Sequence, residues 1–143
     1  MFVVFDLDGT LADCRHRLKF IKTAPVDWDS FYREAVRDTP IDPLRYVYWG
    51  MRYQKMPVEI WTGRPERIRV LTANWLYRYG LPYSRLRMRE DDDHRPDYEV
   101  KEEWLLSLKA WERPTLVFED RQQVVDMWRR NGVQCCQVAA GDY

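Results

Sequence analysis

The sequence lacks the features that would assign it to a membrane, to a disulfide-stabilised class or to the surface of a long nucleic acid. No apolar run approaches the ~20 residues needed to span a bilayer, and no basic leader precedes the first apolar stretch. Cys14, Cys135 and Cys136 are too few, and wrongly spaced, for a zinc site or a disulfide framework. Lys+Arg and Asp+Glu are both 23, so there is no basic excess with which to coat a nucleic acid. We therefore expect a cytoplasmic protein without a membrane partner, whose zero net charge still permits binding to a single phosphate or a strand end.

What the sequence does contain is a regular alternation of two patterns over 143 residues, a length that suits one domain with its own core. Short apolar runs typical of strands alternate with stretches of helical periodicity. This order predicts an α/β fold in which helices cover both faces of a central parallel sheet. In such folds the ligand lies at the carboxyl ends of the strands. The predicted strands are residues 2–5, 57–61, 86–89, 115–118 and 133–138.

The first predicted strand ends in two carboxylates, Asp6 and Asp8, followed by Gly9. Side chains two residues apart point to the same face of a strand. Because isolated buried carboxylates are costly, the pair is expected to face a metal or a cleft. A hairpin turn at Asp8-Gly9 is the structural alternative, but residues 12–17 do not have the pattern of a returning strand.

Polar groups follow two further predicted strands. Thr62-Gly63-Arg64 comes after residues 57–61, and Glu119-Asp120 comes after residues 115–118. A hydroxyl, a glycine and a proline in the first turn of a following helix would form a phosphate cradle at residues 62–66. Each group has a simpler interpretation as a helix cap, but three strands delivering polar groups to one edge predict a shared crevice.

Residues 12–40 interrupt the alternation. Arg15 and Arg17 belong to a basic cluster that directly follows the acidic loop, and two short helical patterns come next. We interpret this segment as a small helical insertion after the first strand. It is either a solvated helical hairpin or a flap whose positive charges bind the phosphate of a substrate. The aromatic content of 15%, with seven Trp, also suggests an interface or a stacking surface.

Together these elements resemble the haloacid dehalogenase-like (HAD) phosphohydrolases. Asp6-Leu7-Asp8-Gly9-Thr10-Leu11 is similar to the first signature of that superfamily, and Thr62, Lys101 and Glu119-Asp120 stand in the expected order after it. The resemblance implies a Rossmann-like three-layer sandwich, with residues 1–143 as a single domain and residues 12–40 as a cap-like insertion. It implies a phosphatase with Asp6 as the nucleophile, Asp8 as the general acid and base, and Thr62 and Lys101 contacting the transferred phosphoryl group. Mg²⁺ would be the cofactor, held by Asp6, Asp8, Glu119 and Asp120.

Later segments resemble a narrower group, the 3′-phosphatase domain of phage-type polynucleotide kinase/phosphatases. Residues 88–101 and 119–143 carry this similarity. It implies hydrolysis of 3′-phosphates at DNA or RNA ends, in a host cytoplasm if a phage encodes the protein. The chain departs from that group in having no G-x-x-x-x-G-K-[ST] loop, hence no kinase domain, and in having Glu119 where Asp is expected. The candidate substrate contacts are Gly63, Arg64, Arg89, Arg95, Arg15 and Arg17. For Arg89 and Arg95 the alternative is that both form salt bridges with residues 91–93.

Three other functions stay open at this stage. A phosphatase of free nucleoside monophosphates is the main alternative, and zero net charge in a small chain favours it. A phosphate-accepting receiver-like module would also use an acidic Mg²⁺ pocket, but it needs no general acid such as Asp8. A catalytically inactive binding protein would not need the complete set of motifs. The substrate partner is therefore a phosphorylated nucleic-acid end or a nucleotide, and the oligomeric state is left open.

Overall fold

A five-stranded parallel sheet forms the centre of the structure, a computed structural model that describes residues 1–141. The order across the sheet is β5-β4-β1-β6-β7, which places β1 between the two strands that carry the other predicted motifs. The strands are β1 (Val3–Phe5), β2 (Ala12–Asp13), β3 (Thr39–Pro40), β4 (Val58–Pro65), β5 (Arg85–Arg89), β6 (Leu116–Glu119) and β7 (Cys135–Gln137). The helices are α1 (Lys19–Lys22), α2 (Trp28–Arg33), α3 (Asp42–Tyr53), α4 (Arg69–Arg78), α5 (Asp97–Leu106) and α6 (Gln122–Arg130).

Helices cover both faces of the sheet, which confirms the predicted three-layer α/β fold. Along β1, Val3 and Phe5 pack into one apolar core and Val4 packs into the other, as strand alternation requires. The first core takes side chains from α3 and α4, including Trp75, and the second takes side chains from α5 and α6, including Trp128. Because β1 is buried on both faces, the chain leaves it at the centre of the molecule.

β4 is longer than the sequence pattern predicts. It runs Val58–Pro65, and Pro65 pairs with Arg89 of β5 after a register irregularity. A 3-10 turn at Glu66–Ile68 then separates the strand from α4. The prediction that a helix begins at Pro65 is therefore wrong, because residues 62–65 stay extended against β5.

Residues 12–40 are closed by strand pairing that the sequence did not indicate. Ala12–Asp13 pairs antiparallel with Thr39–Pro40, so the two ends of the segment meet next to β1. Between them lie α1, α2 and two 3-10 turns, Arg15–Arg17 and Glu34–Arg37. As predicted, residues 12–17 do not form a strand that returns along β1, because the two-residue strand β2 pairs with β3 in a separate sheet.

Within residues 1–141, no helix combines the length and the apolar character needed to cross a membrane. The last two residues of the predicted tail, Asp142 and Tyr143, lie outside the described part of the chain.

Candidate active site

The polar strand ends meet in one cleft. Asp6 follows β1, Glu119 ends the neighbouring β6, and Thr62 lies in β4 on the other side of β1. The cleft has a volume of about 390 Å³, and its lining includes Asp6, Asp8, Thr62 and Gly63. The parallel sheet thus brings these side chains together at its carboxyl edge, as expected for the ligand site of such a fold.

Lys101 lies in the middle of a buried acidic cluster beside this cleft. Its Nζ donates to Asp6 Oδ1 at 2.7 Å and to Glu119 Oε2 at 2.8 Å. A third carboxylate, Asp97, lies 3.0 Å from Nζ, one turn earlier on α5. Lys101 and Glu119 are almost completely buried, and Asp6 is 5% exposed. The cluster holds three carboxylates and one ammonium group, so its negative charge is in surplus.

The pKa values in this cluster follow from burial and from that surplus. Burial raises the pKa of Asp6 well above its ordinary value, and the nearby Glu119 adds to the effect. Burial, with further contributions from Asp97 and Asp120, raises the pKa of Glu119 to about 7. Burial alone would lower the pKa of Lys101, but the surrounding carboxylates raise it well above its usual range. Lys101 is therefore a permanent cation positioned next to Asp6.

Asp8 lies in a second ionic network, which differs from the predicted arrangement. Arg17 Nη2 and Arg64 Nη2 each donate to Asp8 Oδ1 at 2.6 Å. Both guanidinium groups also contact Asp38 Oδ2, at 2.7 Å from Arg17 and 3.0 Å from Arg64. The side chains of Arg17, Arg64 and Asp38 are fully buried. Two carboxylates and two guanidinium groups balance in charge, and their mutual attraction offsets the desolvation cost of burying them.

The positions of Arg17 and Arg64 differ from the predicted contact to the substrate. Their side chains have no exposed surface, and their guanidinium groups donate to Asp8 and Asp38, with further hydrogen bonds from Arg17 to the carbonyl oxygen of Phe31 and from Arg64 to Thr72. Burial alone would raise the pKa of Asp8, but Arg17 and Arg64 lower it below its ordinary value. The two arginines therefore hold Asp8 as a carboxylate.

Thr62 and Gly63 lie on the floor of the cleft. The Thr62 hydroxyl accepts a hydrogen bond from the backbone N–H of Arg64 at 3.2 Å, and the residue is 1% exposed. A Cβ on Gly63 would lie 2.5 Å from Oδ1 of Asp97. A side chain at position 63 would therefore displace the carboxylate of Asp97.

The remaining candidate arginines take three different positions. Arg89 lines the cleft and donates to the carbonyl oxygens of Gly63 and Arg95, both at 2.7 Å, so it holds the loop before α5 against β4. Arg95 also lines the cleft, paired with Asp93 at 2.6 Å. The Arg15 side chain is 83% exposed and paired with Asp13. Arg15 is absent from the cleft lining, which does not agree with its predicted contact to the substrate.

A family comparison agrees with this geometry over the whole chain. The sequence model of the polynucleotide kinase PNKP phosphatase domain matches residues 1–143. The chain belongs to this family. It is a HAD-type phosphatase, and the resemblance noted from Asp6, Thr62, Lys101 and Glu119-Asp120 is confirmed at the level of the PNKP phosphatase domain.

Solved structures support the same assignment. A chain in the structure of the Pnkp1/Rnl/Hen1 RNA repair complex matches with a TM-score of 0.82 and 30% identity, covering 99% of this chain and 43% of that chain. The present chain thus spans less than half of that relative. Two phosphatases share only the fold: a predicted phosphatase from Clostridium acetobutylicum, with TM-score 0.69, 14% identity and coverage of 95% and 83%, and a class C acid phosphatase from Bacillus anthracis, with TM-score 0.68, 16% identity and coverage of 99% and 67%.

Two residues of this PNKP-type site were missed by the sequence analysis. Asp97 lies four positions before Lys101 in α5, a spacing that places both side chains on one helix face and could have indicated it. Asp38 contacts Arg17 and Arg64, which are 21 and 26 residues away, so no local pattern indicates it.

HAD phosphatases generally use a divalent metal, and the donor set here fits such an ion. Asp6, Asp97 and Glu119 offer carboxylate oxygens within 4.8 Å of one another, and hard divalent cations prefer oxygen ligands. Lys101 already contacts one oxygen of each, so a metal would use the remaining oxygens. Asp120, which is fully buried and follows Glu119, is the natural further ligand. The surplus negative charge gives this site a physical reason to bind a cation.

Addition of Mg²⁺ is expected to raise the melting temperature of the protein. At about 100 times its Kd, a ligand that binds only the folded state stabilises it by ~2.7 kcal/mol, which corresponds to roughly 5–10 °C for a domain of this size. The measurement is thermal unfolding in chelator and in excess Mg²⁺. Asp120→Asn should reduce the shift, whereas Asp126→Asn, at an exposed position on α6, should retain it. An equal shift in both variants would place the ion elsewhere.

Proposed function

We propose that this protein removes 3′-phosphates from the ends of DNA or RNA strands, with Mg²⁺ as cofactor and a phosphorylated Asp6 as intermediate. The observation that carries the proposal is the match of the whole chain to the phosphatase domain of polynucleotide kinase. The relative in the RNA repair complex points in the same direction.

In the first half of the reaction, a carboxylate oxygen of Asp6 attacks phosphorus. The P–O(Asp6) bond forms and the bond to the 3′ oxygen of the strand breaks, which yields an aspartyl-phosphate. Lys101, 2.7 Å from Asp6, supplies positive charge beside the nucleophile. The Thr62 hydroxyl lines the same cleft and can donate to a phosphoryl oxygen. A bound Mg²⁺ would offset the negative charges of the phosphate and of the carboxylates that hold it.

Asp8 acts first as a general acid for the leaving group and then as a general base for water. It gives a proton to the departing 3′ oxygen, and in the second half-reaction it takes a proton from the water that attacks the aspartyl-phosphate. The contacts from Arg17 and Arg64 favour its carboxylate form, which is the form that accepts a proton from water. Of the two proton transfers by Asp8, donation to the leaving oxygen is therefore expected to be the less favourable.

A phosphatase of free nucleotides is the second candidate, and the electrostatics of the cleft rim favour it. Arg95 is paired with Asp93 and Glu103, and Arg67 is paired with Asp29. With its cations paired in this way, the rim would attract a long polyanion only weakly. A nucleotide would depend less on such long-range attraction.

A substrate panel separates the two candidates. Phosphate release is measured from a 3′-phosphorylated oligonucleotide, its 5′-phosphorylated isomer, and free 3′- and 5′-nucleoside monophosphates, each with Mg²⁺ and with a chelator. The proposal requires the highest kcat/KM for the 3′-phosphorylated strand and no release in chelator. Release from mononucleotides alone would favour the second candidate, and full activity in chelator would refute the role of the metal.

The lowered pKa of Asp8 predicts a pH dependence that varies with the leaving group. Because the pKa of Asp8 lies below its ordinary value, the protonated fraction of Asp8 is small at neutral pH and falls further with rising pH. Hydrolysis limited by protonation of an alkyl leaving group should then slow by up to about tenfold per pH unit between about pH 7 and 9. An aryl phosphate, which leaves without a proton, should show a flatter profile. Parallel profiles for the two substrates would argue against Asp8 as the acid.

A further inference from the structure

Trp28, at the start of α2, is an exposed aromatic residue inside the cleft. It is 49% exposed and lines the same cleft as Asp6 and Asp8. Contiguous exposed apolar surface often marks a ligand-binding groove. The reaction at Asp6 does not use Trp28, so its position needs a separate explanation.

The indole of Trp28 is held in place by its neighbours. It stacks on Tyr32, with centroids 5.8 Å apart and planes at 23°, and meets Phe31 edge-on at 5.6 Å and 89°. Phe31 is itself buried, and the guanidinium of Arg17 lies 4.2 Å from its ring centroid. Because Arg17 also binds Asp8, the aromatic group is connected by direct contacts to the reaction centre. Trp28, Phe31 and Tyr32 thus form an aromatic wall of the cleft.

Arg67 makes three contacts next to this aromatic wall. Arg67 Nη2 pairs with Asp29 of α2 at 3.1 Å, and the guanidinium of Arg67 lies 5.4 Å from the ring centroid of Tyr32. The backbone N–H of Arg67 donates to Asp91 at 2.7 Å. These contacts connect α2 to the turn after β4 and to the loop after β5.

The two sides of the cleft differ in chemistry. One part of the lining is apolar and aromatic, formed by Ile21, Trp28, Phe31 and Tyr32, while the remainder combines arginines, among them Arg89 and Arg95, with the carboxylates of Asp91, Asp93 and Asp97. A phosphate bound at Asp6 would therefore lie between an aromatic surface and a polar one that contains arginines. A nucleotide matches this division, since it joins a flat π-system to a phosphate, and the volume of about 390 Å³ is in the range of small-ligand sites.

We propose that the exposed face of Trp28 stacks on the nucleobase of the nucleotide that carries the scissile phosphate. This inference rests on the proposed function, because it assumes a nucleotide phosphate at Asp6. Stacking on a flat ring accepts every base, so Trp28 would select nucleosides over other phosphate esters without selecting a sequence. The segment 12–40 would then act as a substrate-recognition element through aromatic contact rather than through Arg15 and Arg17.

The test compares two 3′-phosphorylated oligonucleotides that differ only in whether the last nucleoside carries its base. The wild-type protein should have a kcat/KM about 5- to 100-fold higher for the strand with the base, the range of one base–aromatic stack. Trp28→Ala should reduce this ratio to near one, mainly through KM, and Trp28→Phe should retain most of it. Trp111→Ala removes a Trp that is 78% exposed and lies outside the cleft lining, so the ratio should stay at the wild-type value.

A wild-type ratio near one, or an unchanged ratio in Trp28→Ala, would overturn the proposal. Urea unfolding of each variant identifies any loss of activity that comes from unfolding. If 3′-phosphorylated strands are hydrolysed with no dependence on the base, the stacking proposal fails and the proposed function stands. If only mononucleotides are hydrolysed, the same comparison with nucleoside and ribose phosphates tests Trp28 separately from the position of the ester.

Discussion

Asp6→Asn is expected to lower kcat by on the order of 10⁴-fold or more, the scale seen when a covalent nucleophile is removed. The amide is a poor nucleophile, and the substitution removes the charged oxygen that lies 2.7 Å from Lys101 Nζ. The measurement is single-turnover phosphate release combined with acid quenching to detect phosphorylated protein. Asp126→Asn, on the exposed face of α6, is the matched control and should behave as wild type. Turnover near the wild-type rate in Asp6→Asn would end the covalent mechanism.

The same substitution should not unfold the protein. The pKa of Asp6 is raised by burial and by Glu119, so its charged form lowers the stability of the folded state at any pH above its unfolded pKa. This cost grows as the pH rises toward the folded pKa, and Asn removes it. The metal-free variant should therefore gain more stability, relative to wild type, at about pH 8 than at about pH 5. Urea denaturation at the two pH values measures this difference, and a gain that is larger at the lower pH would contradict the assignment.

Asp38→Ala is expected to destabilise the protein by about 3–5 kcal/mol, the cost of removing one partner from a buried ionic network. Arg17 and Arg64 would keep their buried charges with only Asp8 to balance them. Activity should fall as well, because both arginines position Asp8. Denaturant unfolding gives the stability, and kcat measured well below the transition gives the activity of the folded variant.

The control for Asp38→Ala is Asp29→Ala. Asp29 also pairs with an arginine, Arg67, but its side chain is 82% exposed. An exposed pair contributes about 1 kcal/mol or less, so this variant should unfold near the wild-type midpoint. Equal destabilisation by the two substitutions would show that the buried network around Asp38 contributes no more to stability than an exposed ion pair.

The fold could be predicted from the sequence because its signals are local. The apolar run that ends at Asp6 and the run that ends at Glu119 are both short, bounded and followed by helical periodicity. Parallel pairing then places their ends at one edge. The extension of β4 to Pro65 could not be read in this way, because it depends on pairing with Arg89 of β5.

The candidate site was predictable only in part, for a related reason. From the residue types and their order, the sequence predicted that Asp6, Lys101 and Glu119 share one site. Whether an arginine faces solvent or a buried carboxylate depends on partners distant in the sequence, and Arg17 and Asp38 are 21 residues apart. The sequence pattern therefore identified Arg17 as a cation near the site but not its role of holding Asp8.

The central claim is that this member of the PNKP phosphatase family acts on the 3′-phosphate of a strand end. The most direct measurement is the ratio of kcat/KM for one 3′-phosphorylated oligonucleotide to that for the 3′-mononucleotide with the same terminal base, in Mg²⁺ and with Asp6→Asn as the blank. We predict a ratio well above one, with no release in the blank. A ratio at or below one, with efficient hydrolysis of the mononucleotide, would contradict the claim and make the protein a nucleotidase.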